Sequence, residues 1–68
     1  MIVLVIGLTE VKQRIDSSEF EIAIETRLPK DSGTHIVTTM GHVIDVYDSG
    51  RALIQGRKQK QMSKILLR

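Results

Sequence analysis

Apolar and polar positions alternate most clearly in "EFEIAIET", where Phe20, Ile22 and Ile24 are interleaved with Glu19, Glu21, Ala23 and Glu25. A two-residue period is that of a strand with one buried and one wet face, so the three apolar residues are expected to point inward. "THIVTTM" and "HVIDVYD" are β-branched runs separated by Gly41, a pattern that predicts a hairpin or sharp bend. Asp48-Ser49-Gly50 then supplies a turn acceptor and a residue free to take positive φ, so "HVIDVYD" and "RALIQ" should pair, with Gly56 ending the strand. From Arg57 onward the spacing changes. Met62, Ile65 and Leu66 fall at i, i+3 and i+4, while Arg57, Lys60, Lys64 and Arg68 follow three or four apart on roughly the opposite face. That predicts an amphipathic C-terminal helix with a cationic stripe, whose lysines near the C-terminus suit the helix dipole.

The remaining segments carry weaker patterns. "MIVLVIGL" reads as a buried strand, and "PKDSG" at 29–33 as a loop. Leu8 to Ser18 admits two readings: a short helix capped by Thr9 with Val11 and Ile15 on one face, or a strand in which Val11, Gln13 and Ile15 alternate before a turn at "DSS". The expected fold is α+β: an antiparallel sheet of four to five strands, a C-terminal amphipathic helix, and a short N-terminal helix on the same face.

At 68 residues the chain forms one domain, 1–68, and a chain this short buries only about 60% of its unfolded surface. An apolar fraction of 41% is enough for a small core, and with Phe20 and Tyr47 as the sole aromatics that core must be aliphatic. Cysteine is absent, which excludes disulfides and thiolate metal sites and fits a reducing compartment. The opening apolar run lacks a basic flank and is far short of the roughly 17 to 25 residues of a membrane span. A cytoplasmic protein with no membrane partner is expected.

Charge is unevenly distributed. Residues 1–50 carry four basic side chains against all eight acids, whereas residues 51–68 carry six basic side chains and no acid. Arg51, Arg57, Lys58, Lys60 and Lys64 are therefore candidate phosphate contacts, with Tyr47 placed to stack on a base and Gln55 to read a base edge. Plainer roles compete: a solvated helix face, a tyrosine packed beside the core, a strand-end glutamine satisfying its neighbours. His35 and His42 lack a third metal ligand, and Ser49 with His42 lacks an orienting acid. "VIGLTE" has one glycine where a nucleotide-binding turn needs several. No catalysis, metal or cofactor is expected.

Tyr47, Ser49, Gly50, Arg51, Gln55 and Gly56 make the frame aromatic-x-Ser-Gly-Lys/Arg-x-x-x-Gln/Thr-Gly ahead of the last helix. In this frame the chain resembles one half of the TATA-binding-protein fold, and most closely the small N-terminal domain of bacterial ribonuclease HIII. The resemblance covers residues 34–57 well and the rest thinly. It implies a curved antiparallel sheet with two helices on its convex side, and a concave face that holds nucleic acid, an RNA/DNA hybrid or a duplex. It implies binding alone, since the domain that cuts the hybrid has no counterpart in this sequence. The electrostatics of the sheet suggest an alternative. If Phe20, Ile22 and Ile24 face the helices, then Glu19, Glu21, Glu25 and Asp45 line the open face, which suits a basic protein surface better than phosphate. The second expectation is accordingly a protein-interaction module, either a homodimer joined through strand edges or a small adaptor that regulates a larger partner.

Overall fold

The computed structural model describes residues 1–67. Five antiparallel strands form one curved sheet: β1 (Ile2–Val5), β2 (Ile22–Arg27), β3 (Gly33–Thr38), β4 (His42–Tyr47) and β5 (Arg51–Gly56), in the order β1-β5-β4-β3-β2. Helix α1 (Leu8–Asp16) follows β1, and helix α2 (Gln59–Leu66) follows β5. No helix among the described residues is long and apolar enough to cross a membrane.

Both hairpins form where the glycines place them. Gly41 takes φ +91° at the β3–β4 turn, and Gly50 takes φ +94° with its N–H donating to the Tyr47 carbonyl at 3.0 Å. A three-residue loop that closes on a left-handed glycine matches the twist of the strands it joins. The loop between β2 and β3 contains a single helical turn at Pro29–Asp31.

Residues paired across an antiparallel ladder point to the same side, so the register sorts the sheet into two faces. Ile36, Ile44 and Ile54 form a row across β3, β4 and β5, continued by Ile2 on β1. Together with Val46 and Ala52 this row meets Val11 and Ile15 of α1 and Met62, Ile65 and Leu66 of α2 in one aliphatic core. Both helices cover this face, and the other carries none.

Leu8 to Asp16 is a helix because Val11 and Ile15, four residues apart, are both completely buried in that core, and tertiary burial outweighs local preference. Its cap is not Thr9. Gly7 occupies the capping position without a side-chain hydrogen bond, and Thr9 lies inside the first turn. At the other end the Ser18 hydroxyl donates to the Ile15 carbonyl at 2.6 Å and accepts the Phe20 N–H at 3.1 Å, turning the chain toward β2.

The alternation expected along β2 fails halfway. Phe20 is buried and Ile22 packs against the core, but the register shifts between Ile22 and Ile24, which pair with Thr38 and Val37 respectively. That shift is a β-bulge at Ala23, and an extra residue reverses the facing of everything after it. Ile24 consequently points to the open face and is 50% exposed, while Glu25, opposite Ile36, turns to the helix side.

A polar node is built into the core beneath α2. His42 is fully buried; its Nε2 lies 3.1 Å from Gln61 Oε1 of α2 and its Nδ1 lies 2.7 Å from Thr38 Oγ1, which also accepts the His42 backbone N–H at 3.1 Å. An amide oxygen only accepts, so Nε2 carries the proton and the Thr38 hydroxyl donates to Nδ1. The Phe20 ring meets the imidazole edge to face at 4.7 Å between centroids. No buried side-chain nitrogen or oxygen among the described residues lacks a partner. Thr38→Val keeps the shape and strands two buried polar groups of His42, so it should lose about 1–3 kcal/mol of stability, whereas Thr38→Ser should lose much less. Urea denaturation followed by circular dichroism reads the difference.

Candidate functional site

The uncovered face of the sheet mixes aliphatic with polar side chains. Ile24, Val37, Val43 and Gln55 form one row across β2 to β5, and Thr26, His35, Asp45, Leu53 and Val3 form the next, which extends to β1. A third row contains Gly33, Tyr47, Arg51 and Val5. Tyr47 is half-buried here, against a hollow of about 340 Å³ shared with Val3, Ser49, Arg51 and Leu53.

Three polar residues interlock at the centre of this face. His35 Nδ1 lies 2.5 Å from Asp45 Oδ1, and the Gln55 amide donates to Asp45 Oδ2 at 3.2 Å. The Asp45 side chain is only 12% exposed, so both of its oxygens are satisfied within the sheet rather than by bulk water. A carboxylate accepts, which places a proton on His35 Nδ1 and, in the neutral ring, the lone pair on Nε2. Gln55 is thus engaged by a side chain, not by the strand-end backbone. No single stretch of sequence reveals this cluster, because its members lie on three strands; the signal is the hairpin register about Gly41, which sets His35 opposite Asp45.

The acids expected on this face are dispersed. Asp45 alone faces outward as expected. The bulge carries Glu25 to the helix side, where Lys12 of α1 pairs with it at 3.0 Å. Glu19 and Glu21 precede β2 and border hollows that adjoin α2: Glu19 lies with Phe20, Gln61 and Lys64, and Glu21 with Thr39, Met40 and Gln61. The acidic sheet face therefore does not form.

Comparison of the chain with protein-family models, curated proteins and solved structures finds no significant match.

The basic candidates divide between two sides. Arg51 faces outward beside Tyr47, whereas Lys60 and Lys64 are carried by α2, which packs on the opposite face of the sheet. Arg57 lies in the turn before α2 rather than on the helix, and Lys58, with φ +57°, occupies the capping position. The helical stripe is correspondingly shorter than the spacing predicts, and Arg68 lies outside the described residues. Tyr47 and Gln55 are thus separated by the sheet from the α2 lysines, so the seven nucleic-acid candidates do not form one continuous surface. His35 and His42 point to opposite faces, and Ser49 lies past the end of β4 that is opposite to His42, so neither pair comes together.

A measurable consequence follows from the central cluster. Neutral histidine side chains in water favour the proton on Nε2, but His35 should carry it on Nδ1 because Asp45 accepts there. Imidazole ¹⁵N chemical shifts should report that tautomer in the native protein and lose it in Asp45→Ala.

Proposed function

We propose that this domain is a non-catalytic module that binds nucleic acid by its phosphates, through Arg57, Lys58, Lys60 and Lys64. The observation that carries this reading is how the fold disposes of its charges. Cations of the first fifty residues are largely consumed internally: Arg14 bonds Glu10 at 2.8 Å, Lys12 bonds Glu25 at 3.0 Å, and Arg27 spans Asp31 at 2.7 Å and Asp48 at 3.1 Å. The hydrogen bond that Arg27 donates to Asp31 is the largest influence on its guanidinium and holds its pKa above the ordinary value. Arg51, Arg57, Lys58, Lys60 and Lys64, by contrast, make no ion pair among the described residues. Clustered unpaired cations gain most from an external polyanion, because each phosphate they neutralise releases condensed counterions.

Such contacts read backbone geometry rather than sequence, so an RNA/DNA hybrid or a duplex should bind with little base preference. The resemblance around Gly50 supports the same class of ligand. Tyr47 and Gln55 have no part in this contact, since they face the other way. A second reading, interaction with another protein, is favoured by the aliphatic residues of the open face, where Val3, Val5 and Ile24 remain more than half or half exposed.

Fluorescence anisotropy with labelled hybrid, duplex DNA and single strands tests the proposal. Four phosphate contacts should give a slope of log K against log salt of about −3 to −4 for a duplex. Lys60→Glu with Lys64→Glu should weaken binding at least about tenfold, while Glu21→Lys with Glu25→Lys should not weaken it. Absence of saturable binding at low salt, or no effect of the lysine reversals, would overturn the assignment.

A further inference from the structure

The two edges of the sheet differ in kind. At the β2 edge the bulge at Ala23 interrupts the ladder, and the side chains that follow are Ile24, Glu25, Thr26 and Arg27, the two charged ones already held in ion pairs. A bulge and charges are how natural sheets block edge pairing. At the β1 edge neither device exists. Ile2, Val3, Leu4 and Val5 are all uncharged and aliphatic, and their register with β5 is unbroken. None of their backbone groups takes a hydrogen bond outside the β1–β5 ladder among the described residues. Large apolar side chains are also left in water here: Met1 is 75% exposed, Val3 56% and Val5 90%.

We infer that the free edge of β1 pairs with the same edge of a second copy, in antiparallel register about a two-fold axis at Leu4. The occupant follows from the composition of the strand. A dyad perpendicular to the sheet sets residues of one strand against the same strand reversed, so a charged residue on β1 would be set, according to register, against its own copy or against an aliphatic side chain. β1 carries no charge, so no register of self-pairing sets like charges together or buries a charge against an aliphatic side chain. With the axis at Leu4, Leu4 meets its own copy on the helix side, where it already lies against the core. On the open side Val3 meets the second copy's Val5, covering the two exposed valines with each other. The two sheets become one, and both pairs of helices remain on a common face. This inference is independent of phosphate binding, which uses α2.

Sedimentation equilibrium on the full chain tests it. Wild-type protein should dimerise, and Val3→Lys with Val5→Lys should weaken dimerisation at least about tenfold, since the register sets lysines of the two copies opposite each other. Thr26→Lys, at the other edge, should leave the dimer unchanged. Far-UV circular dichroism and nucleic-acid anisotropy on the double variant show whether the monomer stays folded. Because the chain contains no cysteine, a second measurement fixes the register: oxidising a mixture of Val3→Cys and Val5→Cys proteins should give the mixed disulfide in preference to either self-linked product. A monomeric wild type at millimolar concentration, a dimer indifferent to the β1 lysines or sensitive to Thr26→Lys, or preferential self-linking of Val3→Cys would each overturn the inference.

Discussion

Sixty-eight residues can clothe only one face of a five-stranded sheet. The two helices together span seventeen residues, nine in α1 and eight in α2, and both are committed to the row of isoleucines on β3, β4 and β5. Everything else about the molecule follows from that shortage of covering material. The second face must tolerate water while keeping the β-branched residues that hold a sheet together, so it mixes aliphatic with polar side chains and is only partly buried. Its central acid is held by hydrogen bonds from His35 and Gln55 instead of being covered by a third layer.

The covered face shows the complementary arrangement. A core this small has few contacts to spare, and a buried histidine in it is tolerable only with every polar atom satisfied. Thr38, at the end of β3, and Gln61, in the first turn of α2, provide the two ring partners, so one side chain ties a hairpin to a helix that is distant in sequence. The node fixes the azimuth of α2 and hence the direction in which Lys60 and Lys64 project. Packing inside the domain thereby decides where its unpaired charge is displayed.

Much of this was legible in the sequence because it is local. Gly41 and Gly50 mark their turns, the runs between them have strand composition, and Met62, Ile65 and Leu66 have the spacing of the one helical face that is buried. The N-terminal helix was ambiguous because Val11 and Ile15 satisfy a period of two as well as one of 3.6, and only burial against α2 and the sheet decides between them. The bulge at Ala23 was invisible for a different reason. Ile22 and Ile24 continue the alternation perfectly, and nothing local marks the point where the partner strand slips, so the alternation puts Glu25, the acid after it, on the wrong side. The His35, Asp45 and Gln55 cluster required register across three strands. The division of the basic residues between two sides required the helices to be placed, which no spacing rule supplies.

The strand order has a consequence for synthesis. β2 to β5 form a meander in which each strand pairs with the one made just before it, so this part can assemble as it emerges from the ribosome. β1 is made first but pairs with β5, joining Ile2 to Ile54. Until β5 is made the most apolar segment of the chain has no strand to join, and the sheet closes only when that strand arrives. The domain is therefore completed by its C-terminal end, and a ribosome stalled before Arg51 would hold a nascent chain with its stickiest segment uncovered, which is the kind of surface that chaperones bind.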